Sequence, residues 1–385
     1  MIKKIIDLGY HPLADSFLTK RQLILEKRKK LECFLDTLTK RIYLKSKFPA
    51  NYRYNNVTYS YTSSNSSLSR KHWNIFYKIN SAKYKIINKK ILEIGSNDGY
   101  LLNKFKNKNF ILGIDSSKQM AKISNKKKIP CLNMIFNNVS SKYVNNKYGK
   151  FDFILANHVL NHADNEIKFL KGAKNLLKEN SILIIEVPYW GYQVKKLYFD
   201  QIYHEHRCYF TVSYLDYLQK KLHLKIIDLQ ITNYHGKSLR IFFSKKNSKY
   251  KPKKIDSFIK YEKKIGLFNL KTYDLFMKKI NFKKRQFQKK IYQLIENNKI
   301  IAIGASAKGN TFLNFMNLNY KIISAVTDNS YYKIGKYTPG SHIKIYKDDI
   351  FKKYKNIYAI VLSWNFSKML KKNVLKYNKK IKFIK

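Results

Sequence analysis

The chain has 385 residues, 44% of them hydrophobic, and sets 78 lysines and arginines against 24 acidic residues, a formal net charge of +54. That apolar content excludes a disordered charge-rich chain and suits two or three domains with cores of their own. No apolar run reaches the roughly 18 residues of a membrane-spanning helix, and Met1 to Asp7 shows neither a signal core nor a cleavage site, which predicts a cytoplasmic protein. The charge is spread along the chain, and Lys, Ile, Asn and Tyr are over-used everywhere, as an AT-rich coding bias would produce. A nucleic-acid footprint is therefore the weaker reading of the positive field and a polyanionic small substrate the stronger. Cys33, Cys131 and Cys208 are far apart and form no Cys-x-x-Cys, so they predict free thiols rather than disulfides or a four-cysteine zinc site.

Residues 1–88 read as the least regular part of the chain. Tyr59 to Ser67 is a polar loop and a helix follows through His72 to Phe76. From Ile91 short apolar runs alternate with amphipathic stretches. Strands are predicted at Ile91–Ile94, Phe110–Asp115, Phe151–Ala156 and Ser181–Val187, with a helix at Ile167–Leu177. Continuous apolar strands separated by helices predict a doubly wound parallel α/β sheet. Lys253–Asn297 is a long lysine-rich helical region. The alternation then restarts with strands at Lys299–Gly304, Ile322–Asp328 and Ile357–Leu362 and a helix at Asn310–Met316, a second α/β unit. The predicted division is 1–88, 89–248 and 249–385.

Four constellations carry chemistry. Leu92-Glu93-Ile94-Gly95-Ser96-Asn97-Asp98-Gly99-Tyr100 is a glycine turn between strand and helix, and Asp115 ends the next strand. Glycine lets the backbone approach a ligand, and the carboxylate can accept both hydroxyls of a ribose. The turn is neither Gly-x-Gly-x-x-Gly nor a Walker loop, which favours S-adenosylmethionine over a dinucleotide or triphosphate. Asn157-His158-Val159-Leu160-Asn161-His162 follows the third strand, at the carboxyl edge where open sheets bind ligands. If it begins a helix, His158 and His162 share a face, but the glutamate of a zinc-protease motif is missing and no metal is expected. Tyr203-His204-Glu205-His206 is a dense titratable cluster suited to proton transfer, or else a hydrogen-bonded polar loop. Gly304-Ala305-Ser306-Ala307-Lys308-Gly309-Asn310 can hold a phosphate on backbone N–H groups, and a plain strand-to-helix connection reads the same loop equally well.

Taken together these motifs resemble the sugar C-methyltransferases, which methylate C3 of nucleotide-linked 4-keto deoxyhexoses. The resemblance runs almost end to end, from Asp7-Leu8-Gly9-Tyr10-His11-Pro12-Leu13-Ala14-Asp15-Ser16-Phe17-Leu18 through Glu186-Val187-Pro188-Tyr189 and His235-Gly236-Lys237-Ser238-Leu239-Arg240. It continues to Gly335–His342 and Ser363-Trp364-Asn365-Phe366. It implies a class I methyltransferase Rossmann-like sheet, a second C-terminal Rossmann-like domain and a small irregular N-terminal domain. It implies that Glu93, Gly95, Asn97, Asp98, Gly99, Asp115, Ser116 and Asn157 hold S-adenosylmethionine. It makes His206 the base that removes the C3 proton and Glu205 its orienting partner. Tyr203 and His162 would bracket the sugar or stabilise the enolate, with His158 and Tyr61 also at the site. Lys308, Gly304, Asn310, Arg240 and His342 would contact the nucleotide-diphosphate sugar. A C3–H beside a ketone is acidic because its carbanion delocalises as an enolate, so no catalytic metal is required.

The chain departs from the family where relatives carry two Cys-x-x-Cys pairs. The first pair would precede Met1, and Asp36 and Thr39 stand where the second would fall, so no structural zinc is expected. His158 stands where Asn is common, and Lys237 where Gly is common. Two other readings compete: a methyltransferase of the same architecture acting on oxygen or another metabolite, and a basic nucleic-acid-binding protein.

Overall fold

The computed structural model describes residues 1–55 and 62–384. The first segment is more regular than its composition suggests. β1 (Ile2–His11), β2 (Lys29–Asp36) and β3 (Ile42–Leu44) pair antiparallel in sequence order. Leu31, Cys33 and Leu35 are fully buried while the residues between them are partly exposed. This is the period-2 alternation of a half-buried strand, a signal that the abundance of Lys and Tyr obscures. At the β2–β3 turn Asp36 accepts hydrogen bonds from the Thr39 hydroxyl (2.8 Å) and the Leu38 N–H (3.1 Å). The two positions where the resemblance expects metal ligands thus close an ordinary hairpin turn. Among the described residues no group of three or more His, Cys, Asp or Glu is arranged to hold a metal ion.

Helix α1 (Ala50–Asn55) precedes the polar loop, and α2 (Ser67–Tyr84) follows it. The Ser66 hydroxyl caps α2 by accepting from the Ser69 N–H. Trp73, Phe76 and Asn80 lie on one buried face, packed on the central domain. There β4 (Lys90–Ile94), β5 (Phe110–Asp115), β6 (Cys131–Asn133), β7 (Phe151–Asn157) and β8 (Leu177–Pro188) run parallel. β9 (Cys208–Tyr209) leaves this body to become the fourth strand of the N-terminal sheet, pairing with β3. β10 (Leu224–Thr232) and β11 (Ser238–Lys245) then return, β11 antiparallel to both β10 and β8. The order is β10-β11-β8-β7-β4-β5-β6, so the chain reverses direction across the sheet between β4 and β7. In open α/β sheets that switch point opens a crevice at the carboxyl ends of the strands.

The predicted single lysine-rich helical region is two helices, Asp256–Lys264 and Leu270–Ile295, broken at Gly266 with φ +66°. β12 (Lys299–Ile303), β13 (Ala325–Thr327), β14 (Ile345–Tyr346), β15 (Ile357–Val361) and β16 (Lys382–Phe383) form a wholly parallel sheet, with its own switch point between β12 and β15. The strand expected at Ile322–Asp328 shortens to β13, because Ile322 and Ile323 close a turn onto Asn319. Among the described residues no helix is long and apolar enough to cross a membrane.

The three sheets are laced together around Ala14. Its N–H and that of Asp15 donate to the Glu205 carboxylate (3.3 and 2.8 Å), and its carbonyl accepts from the Asn310 amide (2.6 Å). Leu18 and Tyr337 exchange backbone hydrogen bonds. Glu26 accepts from the Gly340 N–H (2.7 Å) and pairs with His342 (2.9 Å).

Candidate active site

The crevice at the β4–β7 switch point gathers the glycine turn. Gly95 has φ +71°, and a Cβ placed there would stand 2.9 Å from both Cβ and Cγ2 of Val159. Asp115 binds the backbone with both oxygens, accepting the Asn97 and Ser117 N–H groups at 2.8 Å each. Burial raises its pKa to about 6. A carboxylate retains further lone pairs for ribose hydroxyls. Around it, Glu93 Oε2, Asp98 Oδ1 and both amide atoms of Asn157 are buried with no hydrogen-bond partner. Buried polar atoms are normally paired, so four orphans around one glycine turn fit a bound polar ligand, and acceptors beside a ribose-type carboxylate fit S-adenosylmethionine. Asn97 is otherwise engaged, its side-chain oxygen accepting the Ser63 N–H (2.8 Å). Asp98 also binds Ser64 and pairs with Lys127 (3.0 Å). Ser63 and Ser64 are therefore strapped onto the turn. Asn55 holds the Ser116 carbonyl from α1 (3.2 Å). Tyr61 lies outside the described residues.

Gly95→Ala is expected to weaken S-adenosylmethionine binding at least tenfold. The added methyl must displace Val159, and the positive φ costs about 1 kcal/mol. Calorimetric titration would read this, and an unchanged affinity would remove the turn from the cofactor site.

Val159 joins this crevice to the second half of the site. The segment after β7 is not the helix that would align His158 and His162. His158 takes φ +54°, and only a 3-10 turn, Leu160–His162, follows. The left-handed residue turns the two rings to different neighbours. His162 meets His206 edge to face, with ring centroids 4.9 Å apart. His206 hydrogen-bonds the Gln201 carbonyl through Nδ1 (2.9 Å) and the Tyr203 hydroxyl through Nε2 (2.6 Å). A carbonyl can only accept, so Nδ1 carries the proton and Nε2 offers its lone pair. Burial, then His162 and the Lys308 charge, hold the His206 pKa well below its ordinary value, so the imidazole stays neutral. The segment is pinned from both sides: the Arg207 N–H donates to the Asn161 carbonyl (2.6 Å), and the Arg207 carbonyl accepts from Leu44 (3.1 Å).

Several predicted roles change with the contacts. Glu205 does not orient His206; its carboxylate is spent on Ala14 and Asp15, and burial raises its pKa to about 7. His158 turns to Glu186 (3.2 Å). Arg240 is 4% exposed and pairs with the same Glu186 (2.7 and 2.8 Å), so it does not face a nucleotide. Asn310 and His342 are engaged by Ala14 and Glu26, which fixes the N-terminal domain rather than a substrate. Gly304 serves close approach between loops, since a Cβ there would lie 2.7 Å from the Ser363 hydroxyl. Lys308 is not spent in this way. Its Nζ is buried without a hydrogen-bond partner, 4.9 Å over the Trp364 ring, and its charge depresses His158, His206 and His235. Sequence reasoning assigned no role to Asp200, His235 or Trp364. Each lies in a quoted motif or beside one, but nothing in the spacing says that the three converge.

Residues 75–229 match a family model described as a methyltransferase domain, and residues 233–384 match one described as the C-methyltransferase C-terminal domain. The C-methyltransferase NovU of Streptomyces niveus is 24% identical over 280 residues, 72% of this chain and 67% of NovU. The uncharacterized protein MJ1123 of Methanocaldococcus jannaschii is 35% identical over 115 residues, 29% of this chain and 52% of that protein. A solved S-adenosylmethionine-dependent methyltransferase from Clostridium acetobutylicum matches at 16% identity over 46% of this chain and 92% of its own, with a TM-score of 0.36. The sheet order with its reversed edge strand, the glycine turn and the methyltransferase-domain match define a class I methyltransferase whose methyl donor is S-adenosylmethionine. With the C-methyltransferase domain that follows, the chain is an S-adenosylmethionine-dependent C-methyltransferase.

Proposed function

We propose that the enzyme methylates C3 of a nucleotide-linked 4-keto deoxysugar, and that His206 generates the enolate. The observation that carries this reading is the state of His206. A neutral imidazole, its Nδ1–H fixed on the Gln201 carbonyl, presents an unprotonated Nε2 beside His162, in the loop that touches Gly95. This suits abstraction of a proton from a carbonyl-adjacent carbon. The proton passes to Nε2, and the C–H electron pair becomes the enolate π bond. The Tyr203 hydroxyl, which donates to that nitrogen in the free enzyme, gives up this hydrogen bond when the substrate C–H takes its place, while His162 stays packed against the ring. Glu93, Asp98, Asp115 and Asn157 would hold the donor across the Val159 contact. When bound there, S-adenosylmethionine supplies the methyl group, its carbon–sulfur bond breaking toward sulfur as the new carbon–carbon bond forms. The C-terminal sheet has a switch point of its own, between β12 and β15, and open α/β sheets bind ligands at such points, which suits a second crevice for the nucleotide-linked substrate. NovU, a C-methyltransferase, matches this chain over most of its length, which supports carbon as the acceptor.

The test is incubation with S-adenosylmethionine and a panel of nucleotide-linked 4-keto sugars. A mass gain of one methylene unit is expected, with carbon NMR placing the methyl on C3. A methyl found on oxygen, or turnover of none of the panel, would defeat the reading.

A further inference from the structure

Lys308 is a costly residue that no structural contact explains. It sits in the second residue of the helix Ala307–Phe315, is 8% exposed, and has an Nζ with no hydrogen-bond partner. A buried ammonium is normally paired or neutralised. Here the neighbouring carboxylate, Asp200, accepts the Trp364 indole N–H instead (2.5 Å), and the ammonium is left over the indole face at 4.9 Å. Tyr198 backs that indole, with ring centroids 4.3 Å apart. Gln201, the residue after Asp200, ties this place to the histidines: its carbonyl accepts from His206 Nδ1 (2.9 Å) and its amide donates to the His235 carbonyl (2.9 Å). His158, His206 and His235 are held below the ordinary histidine pKa by burial first and by the Lys308 charge as well. His158 and His235 meet edge to face at 4.8 Å.

A diphosphate is a poor match for this place. It calls for several cations or open backbone donors, whereas the other basic groups here are uncharged imidazoles, and the Asp200 carboxylate repels a phosphate. One small oxygen that becomes negative only during reaction matches well, because a fixed donor in a dry site acts most strongly on charge that develops there. We infer that Lys308 donates a hydrogen bond from its ammonium to the ketone oxygen of the substrate and stabilises the enolate that His206 creates. This rests on the keto-sugar reading and deepens it. The proton leaves carbon for His206 Nε2, the negative charge settles on the carbonyl oxygen against Lys308, and the ketone reforms as the carbon takes its methyl group. The C-terminal domain thereby completes the catalytic centre of the central domain.

Burial lowers the Lys308 pKa to about 8, with Asp200 opposing, and the surrounding titratable groups are Asp200, Tyr198, His158, His206 and His235. Turnover should therefore fall as pH rises through about 8, when the donor loses its proton. The experiment compares Lys308→Met and Lys308→Arg with the wild type on the best sugar of the panel, and measures thymidine diphosphate binding by calorimetry. Lys308→Met is expected to lose at least a hundredfold in kcat while binding thymidine diphosphate within threefold of wild type. Lys308→Arg is expected to recover part of the rate and to lose the alkaline limb, because guanidinium does not titrate there.

Thermal melting checks that the variant folds and reads the buried charge independently. The folded pKa lies below the unfolded one of about 10.4, so the charge penalises the wild type fully below pH 8 and is relieved between there and about pH 10. Lys308→Met should melt higher than wild type at pH 7, with the gap closing as pH rises. Turnover of Lys308→Met within threefold of wild type, or tenfold weaker thymidine diphosphate binding with kcat retained, would overturn the lysine's role alone. A wild type that methylates no keto sugar would overturn the substrate reading, and the lysine's role with it.

Discussion

Replacing His206 with alanine is expected to cut kcat by roughly 10²–10⁴-fold, the usual contribution of a positioned general base. The affinity for S-adenosylmethionine should be unchanged, since His206 meets Gln201, Tyr203 and His162 and none of the orphan groups of the cofactor crevice. The pH profile of the wild type adds a second check. Only the neutral imidazole can accept a proton, and burial keeps the His206 pKa well below its ordinary value of 6.5. The acid limb of kcat/KM should therefore fall below the ordinary histidine range, with activity kept in mildly acid buffer. Turnover in His206→Ala within threefold of wild type would refute the assignment of the base. Loss of cofactor binding together with turnover would show that the ring supports the crevice instead.

The largest stability effect is expected at Arg240. This residue faces Glu186 directly across β11 and β8, and Glu186 is 0% exposed. The carboxylate receives Arg240 Nε and Nη2 on Oε2 (2.8 and 2.7 Å), and meets His72 (2.8 Å), His158 (3.2 Å) and the Thr232 hydroxyl (3.1 Å) on Oε1. Arg240→Ala leaves a buried carboxylate without its main cation and empties the space over the Phe76 ring. The cost of breaking such a pair is about 3–5 kcal/mol, which in the central domain means a melting temperature lower by roughly ten degrees. Glu186 itself has its pKa depressed, despite burial, chiefly by Arg240. Its stabilising share is present above the unfolded carboxylate pKa and is lost as pH falls through the lower folded value. The deficit of Arg240→Ala should therefore be full at pH 7 and shrink in acid. Replacing both partners with apolar residues should restore most of the loss, since a well-packed apolar pair often matches a buried ion pair. A single variant that melts within two degrees of wild type would contradict the account.

The two α/β units were legible in the residues because their strands are continuous apolar runs, and a strand buried on both faces leaves that trace in any composition. Ile91–Ile94, Phe110–Asp115 and Ser181–Val187 lie within β4, β5 and β8 or coincide with them. The glycine turn was legible for a similar reason, since its residues adjoin in sequence and close on one another locally. The N-terminal sheet was harder to see. Its alternation at Leu31, Cys33 and Leu35 spans a few residues, and its fourth strand, β9, comes from a distant part of the chain.

Local pattern by itself determined the central apolar strands β4, β5, β7, β8, β12 and β15, the turn at Gly95 with its acidic partner, and the adjacency of Tyr203 to His206, because periodicity and adjacency are properties of neighbours along the chain. Only the tertiary structure decided what each charge meets. Glu205 was expected beside His206 and instead holds Ala14, Arg240 was expected on a nucleotide and instead neutralises Glu186, and Lys308 stands unpaired against three histidines. The reason is that the worth of a charged side chain depends on how far it is removed from water and on which distant segments surround it. Those segments are brought together by sheets whose packing no local stretch of sequence encodes.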